Sequence, residues 1–311
     1  MAHAVRFRRE SQTEFAKAFR PLGERHSAWQ AWADFVDFSA ISIFMPFGLP
    51  GDEKHQQREK EYMSIAKRYT PAELEVFARL LAMTVDALED EPEQDFLGEM
   101  FMTLELSNHW KGQFFTPYSI CKMMAEITMQ DAGAKIDAKG WVGICDCCCG
   151  AGALLIAARN RMQFANPPIG HLPGHLQTLY VCQDVDRTAA LMCYIQLSLL
   201  GCAGYVVIGN AITHPLVGFD NNPVLPIETE GQDIWCMPMF HDQVWVWRQA
   251  FAKLDALTRP LSREGISDIA PAEEATESAA ERPAEAPELL PPPAQEAVEL
   301  NVTSTGQLTL F

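Results

Sequence analysis

Apolar residues recur at helical spacing along the first third of the chain. Leu74, Phe77, Leu81, Val85 and Leu88 share one helical face. Ahead of them, Thr70-Pro71-Ala72-Glu73 is a capping box with proline in the first turn, and Glu91-Pro92 closes the segment. A second amphipathic run covers Phe96 to Leu106, and Trp29 to Phe47 is apolar enough for core. Residues 1–108 are therefore expected to form a helical N-terminal domain. Beyond that, short apolar runs (Trp141–Asp146, Thr178–Gln183, Tyr205–Gly209, Asp233–Cys236) alternate with helical stretches (Gly150–Arg161, Arg187–Leu200). This alternation predicts an α/β domain over 109–258, with a doubly wound, mostly parallel sheet whose ligands lie at the carboxyl ends of the strands. The pattern then fades. Residues 264–305 are rich in Ala, Glu and Pro and hold no aromatic residue, so 259–311 is expected to be a disordered tail.

Composition sharpens this picture in three ways. Hydrophobic residues make up 48% and charged residues 21% of 311, which is ordinary globular usage. No stretch reaches the roughly 20 apolar residues that span a bilayer, and no leader pattern opens the chain, so a cytoplasmic protein with no membrane partner is expected. Four of the nine cysteines crowd into Cys145, Cys147, Cys148 and Cys149, too close together to pair with one another, which suits a reducing compartment. Cys145-x-x-Cys148 has a zinc-like spacing but no second pair, so small buried residues in a tight turn are expected. The net charge of −17 opposes simple electrostatic attraction to nucleic acid. Much of it belongs to the tail, where ten acidic residues stand against Arg282 alone.

Four segments carry candidate chemistry. Asp146-Cys-Cys-Cys149-Gly150-Ala-Gly152 falls at the turn from first strand to helix, where glycines let a ligand approach the backbone and the helix N-terminus favours a negative group. A side chain at Gly152 is expected to fill ligand space. Leu155 occupies the third glycine position of the dinucleotide fingerprint, which weakens a nicotinamide-cofactor reading. Gln183-Asp184-Val185-Asp186 ends the second strand, where an acid can accept both hydroxyls of a ribose; a solvated acidic loop is the alternative. Gly209-Asn210 ends the third, where an amide can meet an adenine edge or simply close a turn. Upstream, Gly112-Gln113-Phe114-Phe115-Thr116-Pro117 suggests a helix capped by Thr116, with Ile120, Met123, Met124 and Ile127 on its buried face.

Together these segments resemble the N6-adenine DNA methyltransferases, in particular the modification-subunit branch of type I restriction-modification systems. That family pairs Gly-x-Phe-Tyr-Thr-Pro with Asp-x-x-Cys-Gly-x-Gly, then Gln-Glu-x-Asp and Gly-Asp. Here Asp184 stands for the Glu and Asn210 for the second Asp, and Asp95-Phe96-Leu97-Gly98-Glu99 is similar to the helix that precedes the family's domain. The resemblance covers roughly residues 95–215. It implies a Rossmann-like class I methyltransferase fold, S-adenosyl-L-methionine as cofactor, DNA as substrate and a separate specificity subunit as partner. By the same resemblance Phe115, Thr116, Pro117, Asp146, Gly150, Gly152, Asp184 and Asn210 bind the cofactor.

The chain departs from the family at the catalytic motif, Asn/Asp-Pro-Pro-Tyr/Phe after the fourth strand. The positional match is Met237-Pro238-Met239-Phe240, which keeps Pro238 and Phe240 for the target-base pocket but lacks the polar acceptor. Asn166-Pro167-Pro168 and Asn222-Pro223 stand elsewhere in the order of elements. A protein of the same fold that binds donor or DNA without catalysis, as an antirestriction or regulatory factor, is the competing reading, and a protein or RNA substrate is a third. Finally, Gln307, Leu308, Leu310 and Phe311 resemble the short peptide by which bacterial proteins dock on the replication sliding clamp.

Overall fold

The N-terminal region is a set of helices built around one that is apolar almost all round. These are α1 (Glu10–His26), α2 (Ala28–Phe44), α3 (Glu53–Ala66), α4 (Pro71–Asp90) and α5 (Phe96–Thr103). Trp32, Phe35, Val36 and Ile41 of α2 are fully buried, and α1, α3 and α4 all pack against it. The capping box of α4 forms as expected: the Glu73 carboxylate accepts the Thr70 N–H at 2.8 Å and Thr70 Oγ1 accepts the Glu73 N–H at 3.4 Å. The computed structural model describes residues 7–48, 51–104, 106, 115–165, 169–170, 172–258, 301–302 and 308–309.

The α/β region follows: α6 (Tyr118–Thr128), α7 (Ala132–Lys139), β1 (Val142–Asp146), α8 (Ala153–Gln163), α9 (Gly174–Gln177), β2 (Thr178–Asp184), α10 (Arg187–Leu199), β3 (Ala203–Ile208), β4 (Val217–Gly218), β5 (Pro226–Ile227), β6 (Asp233–Cys236) and α11 (Gln243–Thr258). The main sheet has the order β1-β2-β3-β6. β1, β2 and β3 are parallel, with Asp146 opposite Cys182 and Asp184 opposite Ile208. Two strand–helix crossovers, through α8 and α10, produce that arrangement. β6 is the exception in this mostly parallel sheet: it pairs antiparallel with β3, Tyr205 opposite Cys236 and Ile208 opposite Asp233. The connection from β3 holds the β4–β5 hairpin and no α-helix, so the chain re-enters the sheet in the reverse direction.

One core runs from α1–α5 through α10 to one face of the sheet, joining Phe15, Trp32, Phe96, Leu191, Tyr180 and Trp235. On the other face Leu179, Val181 and Val207 pack against Val224, Phe240 and Trp245. β2 is thereby buried on both sides, as its unbroken apolar run demands. Ion pairs tie α2, α3 and α10 to β6: Arg187 reaches Asp37, Glu61 and Asp233, and Arg58 pairs with Asp233 while its guanidinium lies 3.9 Å from the centre of the Trp235 ring.

β1 is an edge strand among the described residues, and the helix beyond it corrects an expectation. Ile120, Met123, Met124 and Ile127 of α6 are exposed, and Cys121 and Ala125 are its buried residues. The facing surface of α8 is made of Ala153, Ala157 and Ala158, so the two helices approach through small side chains and the large ones turn outward.

The chain divides into two compact units, Met1–Pro260 and Leu261–Phe311. In the second, β7 (Asn301–Val302) pairs antiparallel with β8 (Leu308–Thr309). Gln307, Leu310 and Phe311 lie outside the described residues, as do the Asn166-Pro167-Pro168 segment and all of 259–300. Among the described residues no helix is long and apolar enough to cross a membrane.

Candidate cofactor site

The three parallel strands end on one edge of the sheet, and backbone hydrogen bonds lock their ends together. The Cys149 N–H donates to the Gln183 carbonyl at 3.0 Å, and the Gly209 N–H to the Asp184 carbonyl at 2.9 Å. Asp146 closes the first turn of the loop by accepting the Cys148 N–H at 3.0 Å. The Asp184 carboxylate accepts the Gly150 N–H at 2.8 Å through one oxygen and the Asp186 N–H at 2.9 Å through the other. A carboxylate offers about four lone-pair positions, so two remain for hydroxyl donors. Burial pushes the pKa of Asp146 up, opposed by the Cys148 N–H; burial does the same to Asp184, opposed by its two backbone donors.

Phe115, Thr116, Asp146, Gly150 and Leu154 line a cleft of about 220 Å³ beside this loop, together with Asp95 and Cys148. The glycines have different reasons. Gly150 has a φ of +54°, and a Cβ there would meet the Phe115 ring at 3.1 Å, so this glycine lets the aromatic ring lie on the loop. Gly152 has a φ of +96°, and a Cβ would come within 2.9 Å of Cys193 Sγ on α10. A side chain at Gly152 would therefore meet the packing of α10. Thr116 departs from expectation. Pro117 is the N-cap of α6 and no side chain caps it; the Thr116 carbonyl instead accepts from Cys121 Sγ at 3.7 Å.

Asn210 is exposed, and its side-chain oxygen accepts the N–H groups of Ile212 at 2.9 Å and Thr213 at 3.3 Å, which is the turn-closing role. The Gln183 amide, buried, donates to the carbonyls of Gly209 and His214. Three of the clustered thiols, Cys145, Cys147 and Cys148, are exposed and Cys149 alone is buried, contrary to the expectation of small buried residues. Cys145 lies on an edge strand and the next two form the open part of the turn.

A family model for N-6 DNA methylases matches residues 93–250. The chain belongs to that family. No curated protein and no solved structure matches the chain. For a member of the N-6 DNA methylase family, one pair of predicted residues falls in an unexpected place. Pro238 and Phe240 follow β6, which runs antiparallel to β3, so they stand at the edge of the sheet where the parallel strands begin. The Met237 N–H donates to the Gly204 carbonyl at the start of β3 at 2.9 Å. Phe240 is 3% exposed, packed on Tyr205 and Trp245. The length of β3, about 17 Å at roughly 3.3 Å per residue, separates it from the ends of the parallel strands where the cleft lies. Asn222-Pro223 lies on that side as well: the Pro223 carbonyl accepts the Tyr205 hydroxyl at 2.8 Å. The structure thus gathers Phe115, Thr116, Asp146, Gly150 and Asp184 and leaves Pro238 and Phe240 apart.

Sequence reasoning missed Asp95 as a site residue. It is 3% exposed at the N-cap of α5, yet it lines the cleft. Its signal was an acid followed by Gly98 in the segment already singled out.

Proposed function

We propose that the chain is an N6-adenine DNA methyltransferase that binds S-adenosyl-L-methionine over the glycine turn, from the cleft lined by Phe115 and Asp146 towards Asp184 beside Gly150. The observation that carries this reading is the lock between Asp184 and Gly150: one acid holds the glycine turn open and keeps two lone pairs for the ribose hydroxyls. Phe115 and Thr116 would flank the amino-acid end, and the Asp146 carboxylate would accept hydrogen bonds from it. The target adenine would be flipped out of the duplex towards the same edge of the sheet. Sequence choice would come from a separate specificity partner, as in restriction-modification systems. Gln307 to Phe311 would tether the enzyme to a sliding clamp and raise the local concentration of DNA for an acidic protein.

One observation favours a second reading, donor binding without transfer. The segment at the motif's place in the chain, Met237 to Phe240, is at the wrong edge of the sheet and lacks the polar acceptor. The test is to incubate the full chain with donor labelled on its methyl group and to separate DNA, RNA and protein acceptors. Label on adenine of DNA supports the first reading. Donor bound with nothing transferred selects the second, and label on RNA or protein overturns DNA as the substrate.

A further inference from the structure

The cleft holds a buried acid that no cation among the described residues pairs with. Asp95 Oδ1 accepts the Gly98 N–H at 3.0 Å and Gln196 Nε2 at 2.7 Å. The same Gln196 nitrogen donates to the Ala151 carbonyl at 2.9 Å, and its oxygen accepts the Leu97 N–H at 3.0 Å. Gln196 therefore fixes the carboxylate to the glycine turn on one side, while Asp184 grips Gly150 from the other. Asp95 Oδ2 has no donor among the described residues, and no Lys or Arg pairs with it there. Its place is made by Gly98, where a Cβ would lie 2.0 Å from Oδ2. A buried anion left in this state is costly, and a ligand cation repays it.

We propose that Asp95 receives the protonated primary amine at the amino-acid end of the donor, with Oδ2 as the acceptor. This rests on the reading of the cleft as the donor site. The ligand group must carry N–H donors as well as positive charge, which selects an ammonium over the sulfonium at the donor's centre. Oδ2 then gains a charge-assisted bond that none of the described residues supplies. Burial raises the Asp95 pKa to about 6, against the hydrogen bonds from Gln196 and Gly98 that favour its charged form.

The test is calorimetric titration of the full chain and of Asp95→Asn with S-adenosylmethionine and with 5′-methylthioadenosine, which lacks the amino-acid end. Asparagine preserves the shape and can still accept from Gly98 and Gln196. The expected result is a loss of at least tenfold in donor affinity with unchanged methylthioadenosine affinity. Equal donor affinity in both proteins overturns the assignment. Failure of the unaltered chain to bind either ligand overturns the donor reading, and this inference with it. The unaltered chain gives a second measurement should the variant fold poorly. Donor affinity should fall about tenfold per pH unit below about 6, as Asp95 takes up a proton, while methylthioadenosine affinity stays level. Glu99 on α5 and Cys121 on α6 act electrostatically with Asp95, and Asp146 and Cys148 line the same cleft. Burial holds the Cys121 thiol neutral by pushing it up to about 11. A flat donor profile, or a fall shared by both ligands, overturns the assignment.

Discussion

Replacing Gly152 by alanine tests whether this glycine serves helix packing. Two costs add. The residue holds a φ of +96°, in the left-handed half of conformational space, where a side chain costs roughly 1–2 kcal/mol. The new methyl group would also come 2.9 Å from Cys193 Sγ, with the Cβ at 3.4 Å and Cα at 3.5 Å behind it. Cys193 is fully buried between α10 and the loop and has little room to yield, so overpacking adds about 1–3 kcal/mol. Gly152→Ala should therefore lower stability by about 2–5 kcal/mol, read as a shift of the urea midpoint at unchanged slope. The steric part is separable. Cys193→Ala removes the sulfur but leaves the ordinary contacts at 3.4 and 3.5 Å. In the double variant the overpacking should disappear and the backbone cost remain, giving a favourable coupling of about 1–3 kcal/mol in a double-mutant cycle. Strict additivity of the two changes, or an unchanged urea midpoint for Gly152→Ala, would refute the argument.

Three further outcomes follow from the geometry. Phe240→Ala should cost about 3–5 kcal/mol of stability by emptying its place between Tyr205 and Trp245, with donor affinity of the folded protein unchanged in a binding titration; lost affinity in a stable variant would move it back to the site. Asp95→Asn should stabilise the fold at neutral pH by about 3 kcal/mol: the carboxyl rises from 3.8 to about 6, so the native state bears a charge penalty that is absent below about pH 4, grows through that window and is complete above it. Thermal unfolding of both proteins at pH 3.5 and 7.5 should show the gap only at the higher value. Leu310→Ala with Phe311→Ala should abolish binding of a fluorescent sliding clamp and spare donor affinity; equal clamp binding by the intact and altered chains removes the tether from the proposal.

Local rules were enough for much of this molecule. The α4 capping box, the stop at Glu91-Pro92, the strand over Asp233–Cys236 and the parallel order of the first three strands are all legible in the sequence, because each depends on neighbours a few residues apart or on the crossover rule. Asp146, Gly150 and Asp184 were legible for the same reason, since strand ends in a parallel sheet share one edge. The direction of β6 was not legible: two orientations fit the same four residues, and only pairing with β3 chooses between them. That choice moves Phe240 from the site to the core. The outward face of α6 was hidden too, because periodicity shows that a helix has an apolar face but not whether anything lies beneath it. Asp95 entered the cleft only when Gln196, 101 positions away in the chain, took hold of its carboxylate. Spacing along a chain sets what a residue can do locally; burial and long-range partners decide whether it does so.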